Sequence, residues 1–185
     1  MIDASVRIID RIVSLVRSRQ DSNRRLVKDH IDPLFKEMTH IHSDYIQSFT
    51  SILSELENSD DAEAIVALLR GKKQELEYLR VKVHAYASHA VAESGLPKEA
   101  NNFFKQCLEY FHAQSGDSYI PDTYVGRFSD LLKMIEEFDT DSNLINSERI
   151  TVFIASTLKS VLFKVKMQWE LLTKAYTSCR VVLLK

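Results

Sequence analysis

The residues with the clearest potential for chemistry are pairs of glutamate and histidine. Within KEMTHIHSDY, residues 36–45, Glu37 and His40 form an E-x-x-H pair, and Glu109 and His112 form a second one in LEYFH. Di-iron and di-manganese carboxylate bundles hold their metals with two such pairs on helices, together with two further glutamates. The pattern therefore raises the hypothesis of a metal-binding helical bundle.

Helical geometry tests this hypothesis, because successive side chains on an α-helix are about 100° apart. If Met38 marks the centre of the apolar face, Glu37 lies at about −100° and His40 at about −160°. His42 lies at about 40°, within the apolar seam. We therefore predict an outward E-x-x-H pair, a core histidine at position 42, and neither a bound metal nor a cofactor. One side of this helix carries potential ligands that we interpret as a solvated polar face: His30, Glu37, His40 and Asp44.

A second arrangement with catalytic potential is R-x4-H, formed by Arg25 and His30 in RRLVKDH. This spacing resembles the motif of HEPN-type ribonucleases, which are also small helical bundles. The resemblance covers six residues and implies an RNA-cleaving toxin that acts as a dimer. In that case His30 would be the general base or acid and Arg25 would stabilise charge on the phosphate. The other interpretation is an arginine and a histidine on the basic flank of a helix.

Other catalytic signatures are missing from the sequence. It contains no glycine-rich phosphate loop and no G-x-S-x-G, H-E-x-x-H or C-x-x-C motif. The two cysteines, Cys107 and Cys179, fall on apolar helix faces, which favours unreactive core thiols over nucleophiles. Two cysteines suggest no disulfide framework, so we expect a reduced, cytoplasmic setting and lean towards a protein that is not an enzyme.

The elements that would position these residues are helices. Only four glycines and three prolines occur in 185 residues, and no alternating strand pattern is visible. We predict an all-α fold: an elongated antiparallel bundle of about four long helices, one of them split into two shorter helices, plus an amphipathic N-terminal helix. Residues 1–20 would form that helix and residues 21–185 the bundle.

Polar clusters, glycine and proline mark the predicted helix boundaries. Helical periodicity runs to about residue 57, then from Ile65 to Ala90, and then over 97–115, 122–138 and about 147–183. We predict one helix from Ile65 to Ala90, with a break into two helices at Gly71-Lys72 as the alternative. Ser94-Gly95-Leu96-Pro97 predicts the end of one helix and the start of the next. Asp32-Pro33 has two interpretations: it either begins a new helix or kinks one long helix that spans residues 2–57.

The N-terminal segment combines an apolar stripe with an excess of basic residues. Such a helix docks into a protein partner, binds nucleic acid or lies on a membrane surface. The stripe is wide, which favours burial on two sides and hence a homo-oligomer or a larger complex. The predicted contact residues are the stripe and the arginines beside it: Ile2, Val6, Ile9, Val13, Val16, Arg7, Arg11 and Arg17.

Two tyrosines, Tyr119 and Tyr124, lie in the predicted loop GDSYIPDTY and are further candidates for partner contact. No stretch approaches the roughly 20 apolar residues that a transmembrane helix needs. A net charge of −2 gives no whole-chain argument for nucleic-acid binding. The sequence therefore favours a non-enzymatic helical scaffold or adaptor that acts by protein–protein association. The alternatives are the HEPN-like toxin and, after it, the metal-binding bundle.

Overall fold

The structure is a computed structural model that describes residues 21–58, 62–74, 77–111 and 147–185. These residues are almost entirely helical, and none of them lies in a strand. The predicted all-α helical bundle is therefore confirmed. The predicted N-terminal helix, residues 1–20, and the predicted helix at 122–138 lie outside the described residues. The elongated, antiparallel order of the bundle stays a prediction.

The first described helical stretch passes through Asp32 and Pro33 without a break. Helix α1 (Asp21–Leu26) leads into a π-helical segment (Val27–Ile31), which leads into α2 (Asp32–Asn58). The amide of Asp32 donates to the carbonyl of Val27, five residues earlier. In a regular α-helix the ring of Pro33 would clash with the carbonyl four residues before it, at Asp29. The wider π-helical turn accommodates the proline, and the helix continues.

The middle of the chain forms α3 (Ala62–Gln74) and α4 (Glu77–Ala92). The chain then turns at Gly95, whose φ of 104° is in the left-handed region that glycine adopts without strain. Helix α5 (Lys98–Phe111) begins directly after Pro97, and the carbonyl of Pro97 accepts the amide of Asn101 over 2.9 Å. The helix boundary predicted at Ser94–Pro97 is confirmed.

The last helix, α6 (Ser147–Leu183), has the predicted bounds, and one side of it lies in the core. Its buried residues recur mostly in steps of three, four and seven: Ile154, Leu158, Val161, Val165, Leu172, Ala175, Cys179 and Leu183. At the end of this seam Leu183 is buried and Val182 is exposed.

The helices enclose one continuous apolar core. α2 packs against α6, α6 against α5, α5 against α4, and α4 against α2, so these four helices close a ring. The apolar face of α2 that is centred on Met38 is buried, and it consists of Leu34, Met38, Ile41, Tyr45, Phe49, Ile52 and Leu56. Phe103, Phe104 and Phe111 of α5 fill the centre of the ring. None of the helices in the described ranges combines the length and apolar character needed to cross a bilayer.

Candidate partner-binding surface

His42 is half-buried at the point where three helices meet. Its ring stacks on Trp169 of α6, with centroids 4.3 Å apart and planes 6° apart. A hydrogen bond of 2.9 Å joins its Nδ1 to the hydroxyl of Tyr110 on α5. Burial, followed by the nearby charge of Lys166, lowers the pKa of His42 to about 4. The histidine predicted to face inward does so, and it is a neutral contact between helices at physiological pH.

His30 is also enclosed, which corrects its assignment to a solvated face. It lies in the π-helical segment and is buried, with its Nδ1 2.8 Å from the hydroxyl of Tyr86 on α4. Burial raises the pKa of Tyr86, so the phenol stays protonated. Arg25, by contrast, is exposed to solvent. The structure therefore does not bring the two residues of the R-x4-H motif together, and it gives the ribonuclease hypothesis no support.

Asp44 was also assigned to the solvated polar face of this helix, and it too is bound to a residue of another helix. Its carboxylate accepts a 2.6 Å hydrogen bond from the guanidinium of Arg80, whose side chain is only 2% exposed. Arg80 also donates to the carbonyl of Lys73 over 2.9 Å and lies 5.1 Å from the ring centre of Tyr45. Sequence reasoning missed Arg80, although it shares a helix face with Val83 and Ala87, three and seven residues later.

The E-x-x-H pairs do not form a metal centre in the described chain. Glu37 and His40 face solvent as predicted, with side chains 37% and 58% exposed and 3.7 Å between carboxylate and imidazole. Glu109 is exposed as well, and its partner His112 lies outside the described residues. Across the described ranges, no three histidine, cysteine, aspartate or glutamate side chains lie close enough to share an ion.

The two thiols are not placed for chemistry either. Cys107 and Cys179 are both free and buried. Burial raises the pKa of Cys107 well above its usual value, and it raises that of Cys179 to about 12 with help from Glu99 and Asp32. Because the thiolate is the nucleophile, both cysteines are expected to be unreactive in the folded protein.

An aromatic contact between α2 and α6 fixes the rotation of α6 about its axis. Phe35 stacks on Tyr176 with centroids 3.8 Å apart and on Trp169 at 5.4 Å. The hydroxyl of Tyr176 donates to Asp32 over 2.9 Å, and Arg180 lies 3.5 Å from the same carboxylate. Trp169 and Tyr176 are seven residues apart and so lie on one side of α6. Holding that side against α2 determines which residues of α6 face solvent.

The side of α6 opposite the core carries a row of exposed apolar residues. Phe163, Met167 and Leu171 are 64%, 48% and 47% exposed and follow one another at four-residue spacing. Met167 lies about 160° around the helix from the buried Val165. Charged residues, all exposed, accompany the row: Lys159, Lys166, Glu170 and Lys174. We call these seven residues the outer face of α6.

The outer face of α6 was not among the contact residues predicted from the sequence. The signal was nevertheless present, since Phe163, Met167 and Leu171 form a second apolar row outside the core seam. The contact residues that were predicted all lie outside the described part of the chain: Ile2, Val6, Ile9, Val13, Val16, Arg7, Arg11, Arg17, Tyr119 and Tyr124.

Comparison of the chain with protein-family models, with curated proteins and with solved structures finds no match.

Proposed function

We propose that this chain is a non-enzymatic helical scaffold or adaptor that works by protein–protein association within a larger complex or homo-oligomer. The observation that carries the proposal is the exposed apolar row Phe163, Met167 and Leu171 on α6. A contiguous apolar strip edged by charged residues is typical of an interaction site on a soluble bundle. The row lies on the longest described helix, where it offers a partner a straight surface.

The free energy expected from burying the apolar row is large enough for a specific association. Each of the three side chains is about half exposed, so burying the remainder against a partner contributes about 1 kcal/mol. Together they contribute about 3 kcal/mol, which is roughly a hundredfold in affinity. That is enough for this row to decide whether a complex forms, once the cost of association has been met by further contacts.

The N-terminal segment is proposed to supply such further contacts. Its stripe of Ile2, Val6, Ile9, Val13 and Val16 has the alternating four- and three-residue spacing of a bundle or coiled-coil helix. Its arginines would orient a partner or touch nucleic acid. We also propose a cytoplasmic location, which the two free and buried thiols support.

The native size of the particle tests this function. In extracts of the source cells, we expect the tagged chain to elute in a particle clearly larger than its own 21.3 kDa. The double substitution Met167→Ser/Leu171→Ser should release it to its own mass, because it removes apolar area from the row. Tyr78→Ser is the matched control, since Tyr78 is an exposed aromatic residue on α4. A chain that elutes at its own mass before any substitution would show that the scaffold proposal is wrong.

A further inference from the structure

The spacing of the apolar row on α6 specifies the shape of what covers it. Phe163, Met167 and Leu171 lie in one line of four-residue steps, and such a line forms a ridge that packs into the groove of another helix. The row spans nine residues, and its first and last residues are about 12 Å apart along the helix axis. A partner helix of about three turns is enough to cover it, with its own apolar residues at i, i+3, i+4 and i+7.

The charges beside the row specify the chemistry of that helix. Three residues after each apolar side chain comes a charged one, in the order Lys166, Glu170, Lys174. Lys159 lies four residues before Phe163, in line with the apolar row. The outer face of α6 therefore carries three lysines and one glutamate. In helix–helix pairing, the charges that flank an apolar seam set the choice of partner. Lysines at these positions favour glutamate or aspartate across the interface.

The surrounding charge agrees with this assignment. α6 contains six lysines and arginines and two acidic residues, whereas the rest of the chain contains 18 basic and 24 acidic residues. α6 is therefore a positive strip on a negative protein, and it attracts an acidic segment at long range. A second copy of the same face would bring like charges together, which opposes self-association.

A membrane or a nucleic acid fits the outer face of α6 less well. Glu170 lies three residues after Met167 and directly before Leu171, so an anionic bilayer would force this carboxylate against like charge. Binding to phosphates needs the lysines but leaves the row Phe163, Met167 and Leu171 exposed to water. A helix with an apolar seam and acidic flanks covers the apolar row and pairs with the lysines at the same time.

We propose that the outer face of α6 binds an amphipathic helix of a partner protein whose residues beside the apolar seam are mainly acidic. This rests on the proposed scaffold function and names the chemistry of the partner. The probe is a fluorescein-labelled synthetic peptide of about 21 residues, with leucine at its seam positions and glutamate at the flanking positions. A second peptide has lysine in place of every glutamate.

Fluorescence anisotropy with the full chain measures binding of the two peptides. We expect the glutamate peptide to bind at least tenfold more tightly than the lysine peptide, with an affinity that falls as salt is added. Met167→Ser/Leu171→Ser should weaken binding of the glutamate peptide by tenfold or more. Lys159→Glu/Lys174→Glu should invert the preference, so that the lysine peptide binds better. This gain of binding is a result that a misfolded variant would not produce.

Matched controls separate the face from general effects. Tyr78→Ser removes an exposed aromatic residue elsewhere, and Lys98→Glu/Lys105→Glu reverses two exposed lysines on α5. Both should bind the glutamate peptide as the wild type does, and thermal melting followed by circular dichroism should show all variants folded. Loss of binding in these controls as large as in the outer-face variants would overturn the assignment of the site.

Three further outcomes would overturn the proposal. The first is equal binding of the two peptides. The second is binding to vesicles of phosphatidylcholine and phosphatidylserine without binding to either peptide. The third is a wild-type dimer, detected by light scattering, that dissociates when Met167→Ser/Leu171→Ser is introduced. If peptide binding fails while the same substitutions still release the chain from its native particle, the partner chemistry is wrong and the scaffold function stands. If the unsubstituted chain elutes at its own mass, the proposed function itself is wrong.

Discussion

His42 illustrates how a titratable side chain is kept neutral inside this bundle. It is held between the ring of Trp169 and the hydroxyl of Tyr110, and burial together with the charge of Lys166 lowers its pKa to about 4. The unfolded chain takes up this proton near pH 6.5, well before the folded protein does. The contribution of His42 to stability is therefore fully present above about pH 6.5 and is lost as the pH falls towards 4.

The substitution Lys166→Met tests the second cause of this shift. We expect the pKa of His42 to rise above about 4, because the neighbouring positive charge is gone, yet to stay below 6.5, because burial remains. Titration of the imidazole C2–H signal by NMR measures it, with Lys105→Met on α5 as the control. A His42 pKa that is unchanged by Lys166→Met, or already near 6.5 in the wild type, would contradict the described environment.

At the scale of single residues, the sequence predicted the orientation of some side chains and not of others. The orientations of Glu37, His40 and His42 followed from a helical wheel, because α2 is regular from Asp32 onward. His30 did not follow, because the π-helical segment changes the rotation per residue before Pro33 and so alters which way its side chain points. Asp44 was taken as solvated because its partner Arg80 lies 36 residues away, a separation that periodicity cannot bridge.

Arg80 connects three helices and so belongs to the scale of the elements. It lies on α4, binds Asp44 on α2 and donates to the carbonyl of Lys73 in the last turn of α3. A guanidinium this deeply buried is tolerated only when its charge and its donors are matched. The contact joins the last turn of α3 and the first turn of α4 to α2.

Removing one partner of the Asp44–Arg80 pair should lower the free energy of unfolding more than removing both partners. Asp44→Ala leaves the charge of Arg80 buried, and we expect it to lower the free energy of unfolding by about 3–5 kcal/mol. Asp44→Ala/Arg80→Met should lower it by less, because no charge is left behind. Urea unfolding at neutral pH measures both, with the exposed Glu37→Ala as a control expected to change stability by about 0.5 kcal/mol or less. An Asp44→Ala protein as stable as Glu37→Ala would show that the pair contributes little.

Helix boundaries were the part of the fold most open to prediction. Ser147–Leu183 and the turn at Gly95 followed from caps and breakers, which act over a few residues. The arrangement of the helices around one another depends on contacts between distant segments, such as Phe35 with Tyr176. The π-helical segment was not predicted from the sequence either, because a proline early in a helix predicts either a break or a kink and does not select between them.

At the scale of the whole molecule, α6 has two sides with different roles. One side fills the core with Ile154, Val165 and Leu172, and the opposite side leaves Phe163, Met167 and Leu171 in water. A folded bundle keeps such a row only at some risk of aggregation, so a partner that covers it is the physical reason we propose for its presence. The sequence pointed to association through residues 1–20, and we propose the outer face of α6 as a second surface for it.

The most direct test of the central claim is site-specific photo-cross-linking in living source cells. A photoreactive phenylalanine replaces Phe163 on the outer face of α6 or, as a control, the exposed Tyr78 on α4. We expect a discrete adduct with another protein from position 163, absent from position 78 and abolished by Met167→Ser/Leu171→Ser. No adduct from position 163, or one that persists in the doubly substituted chain, would contradict it.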